Sequence, residues 1–237
     1  MIFISKNTII NISTLKEKKV KKITIITGHY GSGKTNVSVN LALELAAKGE
    51  KVTIVDLDIV NPYFRTADFA ELFEKKGVTL VSSMYANTNL DIPAISFDVE
   101  RIAREPGYLI IDVGGDDSGA TALGRYHEPF MQFKDDIDML YVINGYRYMT
   151  RFPEEALELF YEIEQTARFK HTGIINNSNL GNMTTKDTVL KTLDFANKVS
   201  EGTKLPIIFT TAPKDIACAE LNGKVKYIDV YVKPIWE

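Results

Sequence analysis

Short apolar runs alternate along this chain with stretches whose apolar residues recur at helical spacing. Eight runs read as strands: Ile23–Thr27, Lys51–Leu57, Val78–Ser82, Tyr108–Val113, Asp138–Asn144, His171–Ile175, Pro206–Thr211 and Lys226–Val232. Runs such as Ile23-Thr24-Ile25-Ile26 and Leu109-Ile110-Ile111 are almost uninterrupted, the pattern of strands covered on both faces. Between them, Lys34–Lys48 carries Val37, Leu41, Leu43 and Leu45 and stops at Gly49, the signature of an apolar helix with a glycine terminator. Thr66–Lys76 reads as a second helix, ending at Gly77. Pro153–Phe169 opens with proline followed by Glu154 and Glu155, which suit a helix N-terminus. Thr185–Ser200 reads as a fourth. The alternation predicts an α/β fold: a doubly wound, mostly parallel sheet flanked by helices. Met84–Pro106 is the least regular stretch and is expected to cover the site. With no repeat and no linker, residues 21–237 read as one domain and residues 1–20 as an N-terminal appendage.

Composition narrows the picture. A chain of 237 residues is long enough for a sizeable core. Lys+Arg number 28 and Asp+Glu 31, a net charge of 28 − 31 = −3, so a dedicated nucleic-acid coat protein is not expected. The cluster Lys16–Lys22 reads as a solvated lead-in to the first strand. No stretch has the ~18–20 apolar residues needed to cross a bilayer. The first residues turn polar too soon for a signal peptide, so a cytoplasmic location without a membrane anchor is expected. The one cysteine, Cys218, excludes an intrachain disulfide and a four-cysteine metal site within one chain, and reads as buried and inert.

The strongest chemical signal is Gly28-His29-Tyr30-Gly31-Ser32-Gly33-Lys34-Thr35, which fits G-x-x-x-x-G-K-[ST] between a predicted strand and a predicted helix. Glycines let the backbone curl so that its N–H groups point at phosphate oxygens, and the helix adds its positive end. Lys34 reaches the β- and γ-phosphates, and Thr35 offers a hydroxyl to Mg²⁺. The glycines run G-x-x-G-x-G, unlike a dinucleotide fingerprint. This segment, with Asn36, is the expected cofactor-binding loop.

Two further strands end in carboxylates, at Asp56-Leu57-Asp58 and at Asp112-Val113-Gly114-Gly115. Ligands of open parallel sheets sit at the carboxyl ends of strands, so Gly28–Thr35, Asp58 and Asp112 should converge. Asp112 is assigned to the magnesium shell, and Asp58 to the attacking water or the magnesium shell. Asp56 lies deeper and reads as a structural partner. The N–H of Gly115 is placed to sense the γ-phosphate. Asp116-Asp117 reads as a solvated loop face or helix cap.

Taken together, the loop, Asn40-Leu41-Ala42, Val52–Asp58 and Leu109–Asp112 resemble the MinD/ParA/Mrp-type P-loop ATPases, a group that includes the CobB/CobQ and dethiobiotin synthetases and the nitrogenase iron protein. The resemblance runs from about residue 22 to about residue 215. It implies Mg-ATP as ligand, with Lys34 and Asp58 in catalysis, Thr35, Asp58 and Asp112 around the metal, and frequently an ATP-dependent homodimer. It also implies adenine recognition by Asn176 and by a base-wall loop at Thr211–Asp215 that includes Pro213. The function it implies is a nucleotide-dependent switch on a protein client. The alternatives are an ATP-dependent synthetase that activates a carboxylate and a non-hydrolysing nucleotide-binding module.

One departure stands out. Family members with a dimer-bridging lysine carry it in the loop where this chain has His29. Arg65, Arg125, Arg147 and Arg151 are candidate substitutes. A cluster carrier of the iron-protein kind would need ligands beyond Cys218. The tail Tyr227–Trp236 reads as an edge strand or a docking strand for a partner, and shows no basic amphipathic helix.

Overall fold

The computed structural model describes residues 20–58, 65–82, 98–115, 117–216 and 224–232. The expected appendage, Cys218, Asp116 and most of Met84–Pro106 lie outside the described residues. Eight strands form one sheet: β1 (Ile23–Thr27), β2 (Val52–Leu57), β3 (Val78–Val81), β4 (Tyr108–Val113), β5 (Ile137–Ile143), β6 (Gly173–Asn176), β7 (Ile207–Pro213) and β8 (Val225–Ile228). Their order is β3-β2-β4-β1-β5-β6-β7-β8, and every neighbouring pair is parallel. The parallel α/β architecture expected from the alternation is the one observed.

The helices are α1 (Lys34–Ala47), α2 (Ala70–Lys76), α3 (Val99–Arg104), α4 (Asp117–Gly124), α5 (His127–Met131), α6 (Pro153–Ala167), α7 (Lys186–Lys191) and α8 (Leu193–Thr203). They cover both faces of the sheet. On one face Val37, Leu41 and Leu45 of α1 and Phe73 of α2 pack against Ile26, Ile54, Ile110 and Val142. On the other, Leu123, Phe130, Phe160, Ile163 and Val199 pack against Ile25, Ile111, Met139 and Tyr141. Neighbouring residues of β1, β2 and β4 therefore point into different cores, which is why these strands read as unbroken apolar runs.

Several boundaries differ from the sequence reading. Thr66–Lys76 begins as a 3₁₀ turn over Thr66–Phe69. Thr185–Ser200 is two helices: Thr192 ends α7, and its hydroxyl donates to the carbonyl of Val189 while also accepting from Asn176. Three short helices, α3 to α5, were not anticipated, and α3 lies within the stretch expected to be irregular. The final strand is shorter than expected. β8 is an edge strand, as read, but Asp229–Val232 leaves the sheet and straps across α1.

That strap is held by two asparagines of α1. Asn36 Nδ2 donates to the Asp229 carbonyl at 3.0 Å, and its Oδ1 accepts from the N–H of Tyr231 at 2.8 Å. Asn40 Nδ2 donates to the same carbonyl at 2.9 Å, and its Oδ1 accepts from the Asp229 N–H at 2.9 Å. The Tyr231 ring meets Phe69 edge-on, with centroids 6.3 Å apart.

Candidate functional site

β1 ends at Thr27, and the chain then curls through Gly28–Gly33 before entering α1. Gly28, Gly31 and Gly33 have φ of 142°, 73° and 91°, so all three lie in the region that favours glycine. Space demands glycine as well. A Cβ on Gly28 would stand 2.3 Å from the Val142 carbonyl oxygen, and one on Gly33 would stand 2.1 Å from Asn177 Nδ2. Asn177 is the brace behind the loop. It is buried, its Nδ2 donates to the Ser32 carbonyl at 2.7 Å, and its Oδ1 accepts from the Thr211 hydroxyl at 2.6 Å. It thereby ties the loop to the ends of β6 and β7.

Inside the curl, Lys34 is largely buried and its ammonium donates to the His29 carbonyl at 3.1 Å. The His29 ring bonds the Tyr30 carbonyl through Nδ1 at 2.7 Å; a carbonyl only accepts, so Nδ1 carries the proton. The Tyr30 N–H donates to the Gly115 carbonyl at 3.1 Å, which joins the loop to the end of β4. Gly115 is packed too closely for any side chain: a Cβ there would fall 2.6 Å from the Tyr30 backbone and 2.7 Å from Lys34 Nζ. Ser32 Oγ is fully buried, with no hydrogen-bond partner among the described residues.

The carboxylates stand beside this curl. Register pairs Ile26 of β1 with Asp112 of β4, and Asp112 in turn with Asp56 of β2. Asp112 accepts from Thr66 Oγ1 at 2.6 Å and from Ser38 Oγ at 3.1 Å. Burial raises its pKa above the usual carboxylate range, against the opposing pull of Thr66, Lys34 and Thr35. Asp56 accepts from the N–H groups of Asp58 and Ala67, each at 2.9 Å. Burial, reinforced by the neighbouring charge of Asp112, pushes Asp56 up to about 7.

An acid whose folded pKa is raised takes up protons on folding, so it contributes less stability as pH rises from its ordinary value of 3.8 towards about 7. Asp56→Asn removes that ionisation. The melting temperature of Asp56→Asn minus that of the wild type is therefore expected to rise between pH 5 and pH 8, measured without added divalent metal. A flat difference across that window would show that Asp56 carries no shifted proton.

The structure brings Gly28–Thr35, Gly115 and Asp112 into one cluster. Asp58 follows the end of β2, half-buried beside Asp56. Asn36 lies in the first turn of α1 with its side chain turned to the strap. Asn176 and Pro213 end β6 and β7. The Asn176 side chain is buried and already engaged: its Nδ2 donates to Thr192 Oγ1 at 3.2 Å, and its Oδ1 accepts from the Ser178 hydroxyl at 2.6 Å. Sequence reasoning missed Asn177, Ser38 and Thr66. Ser38 lies four residues after Lys34 on one helical face, and that spacing was the available signal.

A glycine-rich loop curled between a parallel strand and a helix, a buried lysine bonded back to that loop, and a strand-end carboxylate beside it define a P-loop NTPase fold. Solved structures agree on the fold. FtsY from Mycoplasma mycoides superposes with a TM-score of 0.56 at 20% identity, covering 83% of this chain and 62% of that one. Cell division protein FtsY from Thermotoga maritima gives a TM-score of 0.53 at 20% identity, covering 86% and 67%.

The sequence comparisons are more specific. Residues 18–98 match the ParA family model, described as NUBPL iron-transfer P-loop NTPase. The iron-sulfur cluster carrier protein of Escherichia coli K12 is 46% identical over 69 residues, 26% of this chain and 19% of that protein. That of Saccharolobus solfataricus is 49% identical over 49 residues, 20% of this chain and 17% of that protein. The match thus spans less than a fifth of either curated relative. Over this segment the chain is similar to the MinD/ParA/Mrp-type P-loop NTPases, the group that the motifs resemble.

Proposed function

We propose that this protein binds Mg-ATP in the Gly28–Thr35 cradle, hydrolyses it, and acts as a nucleotide-dependent switch on a protein client. The observation that carries the reading is the strand register that sets Asp112 beside the end of β1, where the glycine-rich loop leads into Lys34 and Thr35. It supplies a hydroxyl and a carboxylate where the motif needs a metal.

The donor set fits magnesium. Among the described residues no group of three or more His, Cys, Asp or Glu could cage a metal ion. Mg²⁺ needs no such cage, since it takes one or two protein oxygens and completes its shell with water and substrate phosphates. Thr35 and Asp112 would hold it, with Asp58 beside them, and the ion supplies positive charge against the phosphates. The loop N–H groups and Lys34 bind the phosphate chain, and the orphaned Ser32 hydroxyl gains a partner there. Asp58 orients the attacking water. The base lies towards Asn176 and Pro213, where Asn176 sets the wall through its bonds to Thr192 and Ser178.

Cluster carriage, which the relatives' names describe, is not carried over. Iron–sulfur clusters are held by several thiolates, commonly four, and the 237 residues contain one cysteine. No helix among the described residues is long and apolar enough to cross a membrane, and a cytoplasmic protein client suits that.

The test is sedimentation of the purified chain with Mg-ATP, with Mg-ADP and without nucleotide. A shift from monomer to dimer in Mg-ATP alone is expected of the switch. The same mass in all three would remove the homodimer from the proposal. ATP consumption that required an added small-molecule acid would favour a carboxylate-activating synthetase.

A further inference from the structure

The loop position that carries a bridging lysine in related ATPases holds His29 here, and the His29 ring is turned back onto its own loop through Tyr30. If the cradle binds a triphosphate, about four negative charges enter it. Lys34 and a divalent metal bring three positive ones. The remaining charge needs a cation from elsewhere in the fold.

Four arginines were candidates in the sequence, and the structure separates them. Arg125 is exposed just past the end of α4. Arg65 is buried at the start of the 3₁₀ turn, where its backbone N–H is bonded to Asp68. Arg151 lies over the rings of Phe152 and Tyr148, 4.7 Å and 5.7 Å from their centroids. Arg147 stands over the phosphate loop. A Cβ on Gly31 would lie 3.5 Å from Arg147 Nε, 3.7 Å from its Cδ and 3.8 Å from its Cζ. No carboxylate among the described residues pairs with it.

The turn that carries Arg147 is braced. The Asn144 carbonyl accepts from the Arg147 N–H at 3.1 Å and from Thr150 Oγ1 at 3.2 Å, while Asn144 Oδ1 accepts from the Tyr146 N–H at 3.0 Å. The Gly145 N–H donates to Ser178 Oγ at 2.9 Å, and the Tyr146 hydroxyl donates to the Thr188 carbonyl at 2.8 Å. A cation on a fixed turn is preorganised, so little ordering is needed when phosphate arrives.

We propose that Arg147, acting within its own subunit, supplies the positive charge at the terminal phosphate that the missing loop lysine supplies elsewhere. This rests on the Mg-ATP reading above. It predicts discrimination between triphosphate and diphosphate, because only the terminal phosphate meets the guanidinium. It also predicts that turnover does not depend on a loop cation from a second copy.

The experiment measures Mg-ATP and Mg-ADP affinity and steady-state turnover for the wild type, Arg147→Ala and Arg147→Lys. For Arg147→Ala we expect unchanged Mg-ADP affinity, Mg-ATP affinity lower by about 10-fold or more, and turnover lower by about 100-fold or more. Arg147→Lys restores part of the ATP preference without restoring turnover, since an ammonium lacks the planar fork. The Arg147 side chain is exposed, so folding should be unaffected, as melting temperature would verify. Mixing Arg147→Ala with Lys34→Ala should recover no activity. Recovery would place the arginine in the neighbouring subunit and overturn the assignment. Wild-type turnover and ATP preference in Arg147→Ala would also overturn it, leaving the nucleotide reading intact. A wild type that binds neither nucleotide would defeat that reading first.

Discussion

Lys34→Ala is expected to abolish measurable Mg-ATP binding, a loss of about 100-fold or more. The ammonium sits inside the loop, donating to the His29 carbonyl, so it is in place before any ligand arrives. In the nucleotide-bound protein it would exchange that carbonyl for phosphate oxygens, and each charge-assisted bond contributes about 1.5–3 kcal/mol. Two such bonds account for the stated factor. Any change in stability is read separately, because Lys34 is buried, bonds the loop and lowers the pKa of neighbouring Asp112. Titration calorimetry beside thermal melting separates the two effects. Unchanged Mg-ATP affinity in a folded Lys34→Ala protein would defeat the assignment of the cradle.

Asp58→Asn is expected to keep Mg-ATP affinity within a few-fold of wild type and to lower turnover by about 100- to 10,000-fold, the range for loss of a positioned acid–base group. The bond between Asp58 and Asp56 uses the Asp58 backbone N–H, which asparagine retains. Phosphate release under single-turnover conditions reads the chemical step directly. Wild-type release in Asp58→Asn would move the water-positioning role to another residue.

All eight strands were legible in the sequence; in the central ones, burial on both faces leaves a run such as Leu109-Ile110-Ile111 with no polar interruption. The loop was legible because glycine at positive φ followed by Lys-Thr has few other uses. Helix α4 was not. Its sequence, Asp-Ser-Gly-Ala-Thr-Ala-Leu-Gly, is poor in helix formers, since it must lie close to its neighbours. A Cβ on Gly119 would fall 2.4 Å from the Gly114 carbonyl oxygen, and one on Gly124 would fall 2.9 Å from that of Thr166. Tight packing therefore overrode local propensity. Asn176 and Asn177 are adjacent in sequence, and only tertiary contact reveals that Asn177 is the one touching the loop. The partners of Asp112 come from α1 and from the turn at Thr66, a convergence that no local spacing encodes. Nor could the sequence choose among four arginines, because the path from β5 back over Gly31 depends on the braced turn after Asn144.

The two amides that fasten Asp229–Val232 onto α1 join positions 193 and 189 residues apart. A nascent chain still emerging from the ribosome has every strand of the sheet before it has this fastening. Until residue 229 is free, the first two turns of α1 present the Asn36 and Asn40 side chains to water. The helix that follows the glycine-rich loop is thus completed only after the last strand of the sheet has been made, so its final fastening waits on a segment 189 to 193 residues downstream.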